Sequence, residues 1–491
     1  MAGDRLEEFA PIFYPKSQAV IGASADLQKF GGRFLKGLLS FGYAGKLYPV
    51  NPQESQILGL KTYARVGDIP GPVDFATITV PARAVPEIVE ECLAKGIKAV
   101  QILTSGFKER SEAGQKLEEQ LTKTAAKGIR IIGPNCFGVY CPGGGLTILP
   151  GEDFPRESGP LALLCQSGGH ASWVVRQASG LGLRFSKVIS YGNACDINEC
   201  DLLEYLGEDA ETRVITAYLE GVKDGRRFFK LLQEVAKTKP VILWKGGLTA
   251  GGARAVHSHT GSLGGEEAIW KAVFRQSNTI RVNSRDELLD TALAFQHLAL
   301  HRGRRVSVVG GGGGISAAAA DTCERTGLSM PLFPTELHQK LLAVIPPVGS
   351  SARNPVDVGG PTPTPAMLRT VMEAVLTEGG VDTIIIDALQ MSVSSASMKN
   401  NDEQHSIIRE RAQVPVDIKK KFGRPVVMVL PVDAPEADAA EFEGARRHIR
   451  DYYLGEGIPV FLTLERAAKA LANLVGYYER RDAVLLADLS Q

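Results

Sequence analysis

Short apolar runs rich in Val and Ile alternate with stretches whose apolar residues recur at helical spacing, and the alternation continues almost to the last residues. Such a pattern predicts parallel sheets covered by helices. In the first part the runs are SQAVIGAS (17–24), KLYPV (46–50), DFATITV (74–80), AVQILTS (99–105) and IRIIGP (129–134), with amphipathic segments such as PEIVEECLAKGI between them. They read as a doubly wound, Rossmann-like domain over residues 1–145. A Gly- and Pro-rich connection, YCPGGGLTILPGEDFPRESGP (140–160), leads into a second α/β unit over 146–300, marked by PLALLCQSGG, RVITAYLEG and PVILWKGG and closed by the helical SRDELLDTALAFQHLAL. A third set over 301–491 holds VSVVGGGGG, DTIIID, RPVVMVL and PVFLT, with the helix LERAAKALANLVGYYERR near its end.

A length of 491 residues exceeds one ordinary core and agrees with about three domains. With 55 basic and 55 acidic residues there is no net charge to favour nucleic acid or an acidic membrane surface. The seven cysteines (92, 136, 141, 165, 195, 200 and 323) are scattered, with no CxxC pair, which argues against a disulfide framework or structural zinc. The opening MAGDRLEEFAPIFYP lacks a long apolar core, and nowhere do about 18 uninterrupted apolar residues occur. The expectation is a soluble cytoplasmic protein.

The glycines bring in chemistry. VIGASADLQKFGG follows a strand but is not GxGxxG, and Asn51-Pro52 ends the next strand where a ribose-binding carboxylate would stand in a nicotinamide-dependent enzyme. The first loop can still offer a helix N-terminus to a phosphate. RAVHSHTGSLGG (254–265) sets two histidines before a run of small residues. An HxH pair can bind zinc, but no cysteine or further histidine nearby completes a ligand set, and no metal is expected.

Taken in order, FYPKSQAVIGAS, VNP at 50–52, TVPA at 79–82, ILTSGF at 102–107, GPNCFG at 133–138, QSGG at 166–169, SYGNACDI at 190–197, YLEG at 218–221, SHTGS at 258–262 and NPVDV at 354–358 resemble the α-subunit of the NDP-forming acyl-CoA synthetases, the ADP-forming acetate–CoA ligase group related to succinyl-CoA synthetase. The resemblance implies an α/β chain with a CoA-binding Rossmann-like domain followed by two flavodoxin-like, succinyl-CoA synthetase-type domains. It also implies coenzyme A bound by Gly22, Ala23, Ser24, Asn51, Pro52, Val80 and Pro81, with Asn135 and Cys136 near the thiol end.

By the same resemblance His259 carries a phosphoryl group between an acyl phosphate and a nucleoside diphosphate, and Glu220 is its carboxylate partner. An imidazole suits that work, being nucleophilic when neutral near pH 7 and better held when a carboxylate accepts its second N–H. Gln166, Ser167, Gly168 and Gly169, a turn between an apolar strand and a helix, would bind the phosphate through free N–H groups. Relatives often place another residue where His170 stands, and they carry an Asn-Ser or Asn-Ala pair where this chain has only Gly310 to Gly314. Backbone packing is an alternative reading of those glycines, as a strand-end turn is for Asn354 and Asp357.

The resemblance finally implies ATP/ADP or GTP/GDP with Mg2+, bound mainly by an ATP-grasp β-subunit in an α2β2 assembly, and a small carboxylic acid as substrate. No GxxxxGK loop followed by Ser or Thr offers a nucleotide site in this chain. The expected reaction is acid + CoA + NTP to acyl-CoA + NDP + phosphate. Its alternatives are a CoA-sensing protein of the same fold without turnover and, with less support, an NAD-dependent oxidoreductase.

Overall fold

Strand β1 (Ser17–Ile21) lies second from one edge of the first sheet, flanked by β2 (Lys46–Val50) and, beyond the small hairpin of β3 (Gln56–Ile57) and β4 (Leu60–Lys61), by β5 (Phe75–Ile78). Then come β6 (Ala99–Ile102) and β7 (Arg130–Ile132), giving the parallel order β2-β1-β5-β6-β7. Every residue of β1, β5 and β6 is buried, which is why these segments read as unbroken apolar runs. The computed structural model describes residues 4–149, 151, 153–260, 265–298, 301–387, 389, 402–431 and 439–489.

The second sheet has the order β13-β12-β11-β9-β10-β8. Its members are β8 (Gly138–Tyr140), β9 (Leu161–Cys165), β10 (Phe185–Ser190), β11 (Val214–Leu219), β12 (Val241–Lys245) and β13 (Ile280–Val282). All pairings are parallel except β8 against β10. Thus the chain leaves the first sheet at Ile132 and six residues later is already an edge strand of the second. The third sheet, β15-β14-β16-β17-β18, is wholly parallel: β14 (Val306–Gly310), β15 (Val356–Asp357), β16 (Thr383–Asp387), β17 (Val426–Val429) and β18 (Val460–Phe461). The α/β architecture expected from the sequence is borne out.

Residues 1–288 and 289–491 form two compact units. In the first unit one core cluster runs across both large sheets, from Phe34, Phe75 and Ile132 through Val139 to Leu164, Tyr205 and Leu243, and a second, with Ile21, Ile78 and Val100, packs on the first sheet. A helix over Asp4–Phe13 helps to join them, stacking Phe9 and Phe13 on Tyr205 with ring centroids 5.1 and 4.6 Å apart. Beside it the wholly buried Lys187 bonds Asp209 (2.9 Å) and Glu211 (3.0 Å). The two carboxylates offset the cost of burying this ammonium.

All seven cysteines are buried and free. Among the described residues no helix is long and apolar enough to cross a membrane.

Candidate active site

In open parallel sheets ligands gather at the carboxyl ends of the strands where the order reverses. In the first sheet that point lies beside β1, and Gly22–Ser24, Asn51–Pro52 and Val80–Pro81 follow β1, β2 and β5 there. The Asn51 amide donates to Ala23 O (2.8 Å), so the residue standing in place of a ribose carboxylate fastens one strand end to the next. Thr79 Oγ1 donates to Ile21 O (3.0 Å) and Thr104 Oγ1 to Val80 O (2.7 Å), which extends the lacing across the sheet. The Gly22 N–H is spent on Val50 O (3.0 Å), so that glycine shapes the turn and has no amide to offer a phosphate.

The free amides lie one step further on. Helix Phe30–Phe41 has no side-chain cap and no acidic residue in its first turn, leaving an N-terminus suited to an anion. It also sits against the turn: a Cβ on Gly31 would stand 2.0 Å from Gly22 O, and one on Gly32 2.4 Å from Asp26 O. Uncapped amides held over a tight turn fit the phosphates of coenzyme A.

Asn135 and Cys136, between β7 and β8, part company. Asn135, with φ +57°, donates its side-chain amide to Asn193 Oδ1 (3.4 Å), and the Asn193 N–H donates to Pro134 O (2.9 Å). Asn193 in turn donates to Glu109 (2.7 Å) and Glu118 (2.8 Å), so the SYGNACDI turn is docked on the edge of the first sheet. Cys136 is 2 % exposed, gives its thiol to Ile102 O (3.2 Å), and burial pushes that thiol up to about 12. Its geometry is that of a core residue, not of a thiolate.

The second sheet reverses between β9 and β11, which are followed by Gln166 and Glu220. Gln166 Oε1 accepts the N–H groups of Glu220 and Gly221, the latter at 2.9 Å, and so bridges the reversal. Ser167 caps helix Gly168–Gly180 through His170 N (3.4 Å), whereas no described group accepts from Gly168 or Gly169 N–H. A Cβ on Gly168 would meet the Phe137 ring at 2.6 Å, so only glycine allows this helix start to reach the first sheet's last loop. Glu220 is 3 % exposed and receives the Tyr218 hydroxyl at 3.2 Å, unlike a solvated strand-end carboxylate.

Two features escaped the sequence reading. Lys245, at the end of β12, is 5 % exposed and donates to Glu220 O (2.8 Å) and Gly246 O, with its ammonium 5.3 Å from the Trp270 ring centre. Burial brings it down to about 8. His170 packs against both Tyr218 and Trp244, at 4.5 and 5.0 Å between ring centroids, and those two rings touch each other at 4.6 Å. The signal for Lys245 was a lone charge closing an apolar strand, VILWK.

The Lys245 value has a consequence for stability. An unfolded lysine titrates near ~10.4, so between about pH 8 and that value the unfolded chain holds more protons and the Lys245 contribution rises with pH. In urea melts at pH 7.5 and 9.5, wild type should gain on Lys245→Met as pH rises, and a constant difference would refute the burial.

The backbone of His257 and His259 falls in the last turns of helix Ala250–Thr260, which follows β12 after four residues. Their side chains and residues 261–264, Gly261 and Gly264 among them, lie outside the described residues. Gly265 is described, with φ +84°. In the third sheet Asp357 Oδ1 accepts from Gly312 N and Gly359 N (both 2.9 Å), and a Cβ on Gly311 would stand 2.5 Å from Gly360 C, so the glycine run is tightly packed. Asn354 braces its own turn by donating to Val306 O (3.0 Å) and Pro331 O (3.1 Å). Among the described residues no cluster of His, Cys, Asp and Glu could hold a metal ion.

Comparison with known proteins agrees with this layout. Residues 16–142 match the family described as CoA binding domain, 158–295 the succinyl-CoA ligase like flavodoxin domain, and 306–467 the Ligase-CoA domain. The chain is 39% identical over 476 residues to acetate–CoA ligase (ADP-forming) I subunit alpha of Pyrococcus furiosus, covering 94% of this chain and 96% of that one. It is 35% identical to 4-hydroxybutyrate–CoA ligase (ADP-forming) of Nitrosopumilus maritimus, over 95% of this chain but 64% of that protein. A solved structure, dinucleotide forming acetyl-coenzyme A synthetase 1 of Ca. Korarchaeum cryptofilum in complex with phosphate and ADP, superposes with a TM-score of 0.81 at 31% identity, covering 98% of each chain. A CoA-binding α/β domain ahead of two ligase modules is the class of protein these matches define. The chain belongs to the α-subunit family of ADP-forming acyl-CoA ligases, within the succinyl-CoA synthetase-like group.

Proposed function

We propose that the protein catalyses acid + CoA + NTP to acyl-CoA + NDP + phosphate, by way of an acyl phosphate and a phosphorylated His259. The observation that carries this reading is the second sheet's reversal point, where Gln166 joins a buried Glu220 to a helix start with free glycine amides, next to the strand that feeds the His259 helix.

In the direction of acyl-CoA breakdown, phosphate attacks the thioester carbonyl and the CoA thiol leaves with a proton. The His259 imidazole then attacks phosphorus and the carboxylate leaves; a nucleoside diphosphate oxygen finally takes the phosphoryl group. Gly168 and Gly169 amides receive the phosphate oxygens, for which a helix N-terminus needs no cationic side chain. Glu220 accepts the second imidazole N–H and stabilises the charged ring. In the first sheet the helix start at Phe30, beside Ala23 and Ser24 in the turn that Gly22 shapes, takes the CoA phosphates, with Asn51, Pro52, Val80 and Pro81 around the nucleotide. Asn135 faces the thiol end. The acid is a small carboxylate, and relatives named for acetate and for 4-hydroxybutyrate support the class while differing in its member.

The nucleotide and Mg2+ belong to an ATP-grasp partner, an α2β2 assembly in the cytoplasm being the arrangement we favour. The match to an alpha subunit over nearly its full length, against 64% of the longer 4-hydroxybutyrate relative, supports a divided machinery. The purified chain should bind CoA, bind ATP weakly, and make acyl-CoA from ATP only after the partner is added. Full ATP-driven synthesis by the chain alone would overturn the division.

A further inference from the structure

The amino ends of the third sheet's strands hold a cavity of about 620 Å3, on the edge opposite the one that ligands occupy in such sheets. That size is ample for a small molecule. Arg302 precedes β14, Asp382 precedes β16 and Arg424 precedes β17; His297, His301 and Lys419 complete the side of the cavity that matters here.

The charge of the lining is lopsided. Asp382 is the one carboxylate among the described lining residues, and it is gripped from outside by Arg305 through Nε (3.0 Å), Nη2 (2.7 Å) and the backbone N–H (3.0 Å). Its distance to Arg424 is 3.7 Å, and Arg424 is 48% exposed. Arg302 lies 3.2 Å from Asp482 and over the Tyr478 ring, and Lys419 donates to the Glu456 carbonyl (2.7 Å), with the Glu456 carboxylate, itself paired with Lys420 at 2.7 Å, offsetting part of its charge. Burial lowers His297 to about 4, with the Lys419 ammonium adding to the effect, and burial lowers Lys419 and His301 as well. Arg302, Arg424 and Lys419 are the cationic groups of the lining, and an anion placed among them is attracted by all three.

We propose that this cavity is a second anion site, built for a phosphate-bearing small molecule and separate from the acyl- and phosphoryl-transfer chemistry. Two guanidinium groups offer the paired N–H donors that phosphate oxygens accept, and Lys419 adds a point charge. A monocarboxylate would leave most of that charge unanswered, whereas a diphosphate or a phosphate monoester would not. Inorganic pyrophosphate and AMP represent the two sources of such a group.

The test uses the full chain, with 1H–13C NMR of the histidine rings during titration with pyrophosphate and, separately, AMP. The His297 and His301 signals should move in a saturable way with at least one of the two ligands, and the tighter ligand tells whether free or esterified phosphate is preferred. Arg424→Gln, an exposed change, should weaken that binding tenfold or more, and Lys419→Gln should do the same. Phosphorylation of His259 from acyl-CoA and phosphate should be unchanged in Arg424→Gln, which separates this site from the proposed reaction. Histidine signals that stay still with both ligands, or binding indifferent to Arg424→Gln in a variant whose melting curve matches wild type, would overturn the proposal.

Discussion

Replacing His259 by Ala should abolish covalent phosphorylation and lower turnover by roughly 10⁴-fold or more, the scale on which removing a covalent nucleophile acts. After incubation with acyl-CoA and labelled phosphate, wild type should carry an acid-labile, base-stable phosphoryl group at that position, and His257→Ala should keep most of it. Glu220→Gln should cut labelling by about 10²-fold, since the amide keeps the size but loses the charge that orients and stabilises the ring. The buried position of Glu220 and its bond from Tyr218 strengthen that expectation. CoA binding should hardly change in either variant, because these residues belong to the second sheet and the turn proposed for CoA to the first. Label persisting in His259→Ala would remove the carrier from the mechanism.

Gly31→Ala should damage the first domain's CoA turn directly. The new Cβ would lie 2.0 Å from the Gly22 carbonyl oxygen, a backbone atom that no rotamer change can move aside. The helix start must then retreat from the turn, and overpacking of this kind costs about 1–3 kcal/mol. Since the same retreat withdraws the uncapped amides, CoA affinity should fall by tenfold or more while the protein still folds. Gly37→Ala in the same helix is the control: its Cβ would meet only Thr147 Cγ2, at 3.6 Å, and the better helix propensity of Ala should raise stability by roughly 0.5–1 kcal/mol. Equal CoA affinity in Gly31→Ala and wild type, measured by calorimetry, would place the coenzyme elsewhere.

Much of the fold was legible because parallel strands buried on both faces leave unbroken Val and Ile runs, as in SQAVI, FATI and TIIID. What escaped was structure without that signature. The helix Asp4–Phe13 contains Pro11 and earns its order by stacking on Tyr205, a partner nearly 200 positions away, so local pattern could not announce it. Strand β8 is three residues long and lies inside GPNCFGVY, a motif that drew attention to chemistry and away from pairing. In the site, the turn glycines and the strand-end residues could be picked out by position, but which amides remain free could not. Gly22 has no N–H to spare, and the amides come from a helix start eight residues on, a difference that depends on Val50 O being within reach. Lys245 shows the same limit, for its role is set by carbonyls on two neighbouring strand ends.

The short step from Ile132 to Gly138 bears on how the protein can be taken apart. A fragment ending at residue 145 would carry Val139 and Tyr140, both buried in the whole chain, on a strand stripped of its neighbour β10, while the remainder would open the edge of β10 to solvent. Exposed apolar edges of that kind recruit other chains. Anyone swapping CoA modules among such ligases should therefore move both sheets of the first unit, with the seam between them, together.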